Sequence, residues 1–286
     1  MCPQVRTDPT RPTAAEAAPQ AVVLDQFSLY VDGRCFLHRV DLTVAEGETL
    51  VVAGPAGSGK SFVLRAAMGM PGVPHGETVE FEGDVRVLGH ALWQLAPHEL
   101  QGLRMRLGSV MLGGGLIDNM DVRRNIALPL QYHFADVLSA SQIQARCTAL
   151  LAAVGHGHLD RPGIRPVNLN REERVYVALA RALINQPHLL LFDDPAAGLS
   201  PGAAGRLVEF LFHRPRFEDG AVLHDEPERQ VTRLIATTDL ADYLPWGDRF
   251  AVLSDHELRL LGDRQAVLES DDPCVDDLLS PRGRLS

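Results

Sequence analysis

Apolar residues recur along this chain with two different periods, and the change of period separates strands from helices. Residues 22–31 and 36–44 read as two apolar-rich strands interrupted by Asp32-Gly33, a hairpin signal that predicts a small antiparallel sheet. The runs 49–53, 189–192, 234–237 and 250–253 are continuously apolar, as expected of strands covered on both faces of a parallel sheet. Residues 62–68, 97–107 and 136–154 place apolar side chains at helical spacing, the last with Gln142, Gln144 and Arg146 between them on the polar side. Residues 77–88 read as two short strands flanking Gly83-Asp84, and 109–112 as a further short buried strand. The acidic segment 214–229, with its prolines and no period, reads as a surface loop. Residues 1–20, rich in Pro, Ala and Thr, predict a disordered leader, and 271–286 a C-terminal tail. Strands alternating with helices predict an α/β fold: a mostly parallel sheet, an antiparallel β subdomain and a helical subdomain at about 97–180, all within one domain over 21–270.

Charge and cysteine content narrow the function classes. A formal net charge of −10 argues against nucleic acid as a partner, because sequence-independent binders need a basic footprint to displace counterions. No apolar run approaches the ~20 residues that cross a bilayer. Cys2, Cys35, Cys147 and Cys274 lie far apart without metal-ligand spacing and read as reduced thiols. The histidines, such as His75 and His90, are scattered; the His-x-His at 156–158 follows a glycine in a predicted loop, a spacing that by itself carries little metal signal.

The strongest chemical signal is Gly54-Pro55-Ala56-Gly57-Ser58-Gly59-Lys60-Ser61, between an apolar strand and a helix. It fits the G-x-x-x-x-G-K-[ST] phosphate loop, in which glycines let backbone N–H groups curl around a β-phosphate. Lys60 supplies charge to the β- and γ-phosphates, and Ser61 offers a hydroxyl ligand to Mg²⁺. The fold class is therefore a phosphate-loop NTPase core. A carboxylate closing a neighbouring apolar strand usually completes the Mg²⁺ site, and Asp193 fits that position.

With these parts in order, residues 22–270 resemble the ATP-binding subunits of ABC transporters. The likeness is carried by GPAGSGKS at 54–61, RVYVALARALINQPHLLLFDDPAAGLSP at 174–201 and TTDL at 237–240. Within that family, the stretch 111–130 looks most like the subfamily that energises phospholipid transport between bacterial membranes. The resemblance implies binding of ATP with Mg²⁺ and dimerisation with a second ATP-binding subunit, identical or not. It also implies attachment to an integral-membrane permease, through residues near 113–132, at the cytoplasmic face of the bacterial membrane. It implies Asp194 as the base that polarises water and Tyr30, or Val31 beside it, as the aromatic position against adenine.

Several positions depart from the family. Asp194 replaces a glutamate and is one methylene shorter. The signature Leu-Ser-Gly-Gly-Gln aligns with Leu169-Asn170-Arg171-Glu172-Glu173. The expected glutamine falls near Leu112, the switch histidine at Thr238 and the aspartate after the catalytic strand at Ser200, while the small hydroxyl after Ser61 is Phe62. Groups that hold nucleotide persist, and those that position water or sense the γ-phosphate are replaced. Two functions follow as expectations: a transporter ATPase with slow turnover, or a hydrolysis-deficient regulatory or scaffolding subunit paired with an active paralogue.

Overall fold

The computed structural model describes residues 19–70, 77–212, 217, 219, 223–224 and 230–280. The first strand, β1 (Gln20–Val31), turns through Asp32-Gly33 into β2 (Arg34–Ala45), and both turn residues take positive φ, at 47° and 73°, as a two-residue hairpin demands. There follow β3 (Thr49–Ala53), α1 (Lys60–Ala67), β4 (Val79–Val87), β5 (His90–Ala91), α2 (Pro97–Arg104), β6 (Leu107–Val110), α3 (Val122–His133), α4 (Ala140–Ala153), α5 (Arg171–Leu183), β7 (Leu189–Asp193), α6 (Pro201–Leu211), β8 (Thr232–Thr237), β9 (Arg249–Ser254), β10 (Glu257–Gly262), α7 (Arg264–Leu268) and α8 (Pro273–Leu279).

Two sheets result. An antiparallel sheet has the order β2-β1-β4-β5, and a six-stranded sheet has the order β10-β9-β3-β8-β7-β6, parallel throughout except for the β9–β10 pair. Alternate residues of the parallel strands feed two separate cores. Val51, Ala53, Leu190, Phe192 and Ile235 face one that contains α3, α4, α5 and α6. Leu50, Val52, Leu189, Leu191 and Leu234 face the other, against α1 and the antiparallel sheet. Burial on both sides explains why these strands lack the polar alternation of a half-exposed sheet.

Three sequence expectations change. Residues 77–88 form one strand rather than two: β4 passes through Gly83, whose φ of 87° accommodates a register shift against β1 between Asp25 and Ser28. A Cβ at Gly83 would stand 2.5 Å from the Gln26 carbonyl, so a side chain is excluded there. Residues expected in a C-terminal tail include α8, capped by Asp272 and anchored by buried Val275 and Leu278. Arg146, expected on the polar side of its helix, is only 2 % exposed and forms paired hydrogen bonds with Asp219. Asp219 belongs to the segment expected as a surface loop over 214–229, most of which lies outside the described residues, as do residues 1–18 of the expected leader. Burial pushes the Cys147 thiol up to about 12, which keeps it protonated and unreactive.

The loop before α3 is pinned by one buried amide. Asn125 Oδ1 accepts from the Ile117 N–H at 2.8 Å, and its Nδ2 donates to the carbonyls of Ile117, Met120 and Asp121. Asn125→Ala strands the Ile117 N–H and uncaps the turn. We expect a loss of about 2–3 kcal/mol, or roughly 4–10 °C in Tm by differential scanning calorimetry.

Candidate functional site

The C-terminal ends of β3, β8 and β7 lie side by side and bring together residues that are 140 positions apart in sequence, Gly54 and Asp194. This edge is where parallel α/β sheets place their ligands. Gly54 leaves β3 with its N–H donating to the Thr237 carbonyl at the end of β8. The loop then curls through Gly57 and Ser58 to Gly59, the residue before α1. Gly59 takes φ 105°, and a Cβ there would stand 2.8 Å from the Phe36 carbonyl, so only glycine fits between the loop and β2.

Lys60, the first residue of α1, is 6 % exposed and folds back into the loop it follows. Its Nζ donates to the Gly54 and Pro55 carbonyls at 2.7 Å each and approaches Ser58 Oγ at 3.4 Å. Burial lowers its pKa, while the charges of Asp194 and Asp193 oppose that shift. One position on, Ser61 Oγ donates to Asp193 Oδ1 at 2.9 Å. Burial raises the Asp193 pKa, the Ser61 hydrogen bond resists, and the Asp194 charge adds to the rise. These directions describe a site that gains by receiving an anion beside Lys60 and a cation beside Asp193.

The Ser61 and Asp193 oxygens suit Mg²⁺. Both are hard donors, and their 2.9 Å separation matches adjacent vertices of an octahedron with metal–oxygen distances of ~2.0–2.1 Å. Asp193→Asn keeps an acceptor for Ser61 and removes a buried charge. At neutral pH we expect it to stabilise the nucleotide-free protein by about 1 kcal/mol. The sign follows from the raised pKa: the carboxylate's penalty is absent below the unfolded value of 3.8 and grows as pH rises through the folded value. The gain in Tm over wild type should therefore vanish in melts below pH 3.8.

Asp194 follows directly in a left-handed backbone conformation, φ 44°, with its N–H bonded to the Ala236 carbonyl at 2.8 Å. Thr238 Oγ1 donates to its Oδ2 at 2.7 Å, and Thr237 Oγ1 approaches its Oδ1 at 3.4 Å. Asp194 lines a cleft of about 400 Å³ together with Leu112, Gly113, Arg171 and Arg174. Leu112, where the family pattern calls for glutamine, is 60 % exposed beside this acid and offers no hydrogen bond to water.

Two aromatic positions take different places. Phe36 packs its ring 4.9 Å from that of Phe62 on α1, the residue that stands in this chain where the family carries a small hydroxyl after Ser61. Tyr30 lies half-buried on β1 between Cys35 and Glu80, and Val31 is 7 % exposed in the core. Phe36 carried no motif signal; only its pairing beside Gly59 reveals it.

Residues 169–173 cap and open α5. The Asn170 side chain accepts the Glu173 N–H at 2.9 Å, and Glu173 Oε2 accepts the Asn170 N–H at 2.9 Å, a reciprocal capping box. The Arg171 guanidinium lies over Gly198, with its Cζ 2.8 Å from where a Cβ would be. Further along the helix, Arg181 donates to the carbonyls of Gly115 and Gly114 at 2.8 and 3.0 Å.

A six-stranded, mainly parallel sheet with a glycine loop leading into a helix beside a strand-end aspartate pair defines the class of phosphate-loop nucleotide-binding cassettes. A family model described as "ABC transporter" matches residues 37–197, and the chain belongs to this family as one of its ATP-binding domains. It is 28% identical over 246 residues to the intermembrane phospholipid transport system ATP-binding protein MlaF of Escherichia coli K12, covering 86% of this chain and 83% of that protein. It is 36% identical over 199 residues to the Fe(3+) ions import ATP-binding protein FbpC of Streptomyces avermitilis, covering 68% of this chain but 53% of the relative. Among solved structures, the dimeric, post-hydrolysis ATP-binding cassette MJ0796 bound to ADP and Pi superposes with a TM-score of 0.70 at 25% identity, covering 84% of this chain and 98% of that one. ATP-binding subunits of this family dimerise and work with membrane permeases. No helix among the described residues is long and apolar enough to cross a membrane.

Proposed function

We propose that this chain binds Mg-ATP at residues 54–61 and drives or gates a membrane permease through dimer closure, with slow hydrolysis. The observation that carries this reading is the asymmetry at the strand ends. Lys60, Ser61 and Asp193 retain the geometry for a triphosphate and its cation, whereas Asp194 is drawn toward Thr238 beside an apolar Leu112. In this role the backbone of Gly57, Ser58 and Gly59 surrounds the β-phosphate, Lys60 exchanges its carbonyl partners for phosphate oxygens, and Ser61 with Asp193 holds Mg²⁺. Bound Mg²⁺ neutralises charge between the phosphates. Asp194 takes a proton from the attacking water, and its short side chain makes that step slow. The Phe36–Phe62 pair, or Tyr30 on β1, supplies a ring face to adenine.

Lipid is the transported class that the overlap with MlaF supports, because that likeness runs over 83% of the relative's length. A permease would dock in the groove lined by Leu128, Pro129 and Tyr132 of α3, of which Tyr132 is 70 % exposed. Such docking would place the chain on the cytoplasmic face of the membrane.

Steady-state phosphate release from Mg-ATP, with fluorescent-nucleotide binding in parallel, tests the proposal on wild type and Asp194→Asn. Tight binding with slow release that Asp194→Asn abolishes supports it. Binding with no release above the Asp194→Asn background supports the alternative, a regulatory subunit paired with an active paralogue. Absence of nucleotide binding overturns both.

A further inference from the structure

His156 and His158 bracket the first residue of the 3-10 turn Gly157–Leu159 after α4, and Glu173 occupies the first turn of α5. Fifteen residues separate His158 from Glu173 in sequence, yet packing of the turn on α5 makes one cluster of them. The ligand-capable atoms of His156, His158 and Glu173 all lie within 4.8 Å of one another, and His158 Nε2 is 3.1 Å from Glu173 Oε1. The two imidazoles stand 5.6 Å apart between centroids, and the His156 ring is braced against Tyr176 at 4.6 Å. His156 Nδ1 is buried with no hydrogen-bond partner among the described residues.

We propose that His156, His158 and Glu173 form a site for a divalent transition metal of the Zn²⁺ class, with solvent completing the coordination. Two imidazoles and one carboxylate are a known zinc donor set. Nitrogen donors select Zn²⁺, Co²⁺ or Ni²⁺ over Mg²⁺, which prefers oxygen, so this site is chemically distinct from the one at Ser61 and Asp193. Tetrahedral ligands at ~2.0–2.1 Å stand about 3.3 Å from one another. The His158–Glu173 pair already meets that spacing, and the remaining pairs, all within 4.8 Å, close by small rotations of the 54% exposed His158 side chain and of the Glu173 carboxylate toward His156. Ligands must be deprotonated to bind. Burial, then the neighbouring His158, lowers the His156 pKa. Burial opposes ionisation of Glu173, but hydrogen bonds from the Asn170 N–H and His158 prevail and hold its carboxyl below the usual range.

The site is tied to α5 through one carboxylate. Glu173 offers Oε1 to the cluster while Oε2 holds the Asn170 N–H, so a bound metal would stiffen the capping box over residues 170–173. Any effect of that stiffening on dimer closure rests on the function proposed above; metal binding itself does not.

Isothermal titration of Zn²⁺ into the nucleotide-free full chain tests the site, using wild type, His158→Ala and Glu173→Gln in phosphate-free buffer. Glutamine also serves the capping box, so Glu173→Gln keeps the helix start while removing the charged ligand. Thermal melts of each metal-free variant check the fold. The expected result is one saturable Zn²⁺ per chain that excess Mg²⁺ does not displace, weakened about 10-fold or more in both folded variants. Absence of saturable binding, equal affinity in the variants or displacement by Mg²⁺ would overturn the proposal, whatever the protein does with ATP.

Discussion

Lys60→Ala is expected to weaken ATP binding by about 100-fold or more, read by fluorescent-nucleotide titration, while the folded state survives. Removing one member of a buried, hydrogen-bonded charge pair typically costs about 2–5 kcal/mol of binding. The fold should tolerate the change because the lysine is a strained guest without nucleotide: it is 6 % exposed, and burial lowers its pKa from 10.5. A depressed lysine penalises the folded state below its folded pKa, and stability returns as pH rises from there toward 10.5. Wild type should therefore gain Tm over that window relative to Lys60→Met, whose profile lacks this rise. A Lys60→Ala chain that binds ATP as tightly as wild type would remove the phosphate loop from the mechanism.

Asp194→Glu should raise steady-state phosphate release by about tenfold. The aspartate's main chain is fixed by its N–H bond to Ala236, and its carboxylate is drawn toward Thr238 at 2.7 Å. One more methylene adds roughly 1.5 Å of reach into the cleft shared with Leu112 and Arg171. A general base contributes about 10²–10⁴-fold, and two features keep the gain below that range. Leu112 supplies no second hydrogen bond to the water, and glutamate tolerates a φ of 44° less well than aspartate. Release unchanged in Asp194→Glu, with nucleotide binding intact, would show that base reach does not limit the rate.

How much of this was legible beforehand follows from where each feature's information resides. The strands β3, β7, β8 and β9 announced themselves because burial on both faces demands unbroken apolar runs. The phosphate loop was legible because its backbone cradle, lysine and hydroxyl are contiguous in the chain. Asp193 was legible as the acid ending such a run, and its carboxylate accepts the Ser61 hydroxyl at 2.9 Å. Features assembled from distant segments were not. Arg146 looked solvated until Asp219 arrived 73 residues later. Residues 77–88 looked like two strands because the glycine that permits a register shift resembles a turn in sequence alone. The third ligand-capable group beside His156 and His158 belongs to another helix, and Phe36 reaches Phe62 only through the sheet.

The arginines on α5 give that helix a mechanical meaning. It spans 13 residues, roughly 20 Å, with Arg171 lying over Gly198 near one end and Arg181 gripping Gly114 and Gly115 near the other. A rod of that length turns small angular changes into larger displacements: tilting it by about 10° about its middle carries each end roughly 2 Å in opposite directions. A shift of the segment after β7 that turns the helix is therefore expected to displace the glycine run after β6 as well, because Arg181 holds both of its carbonyls.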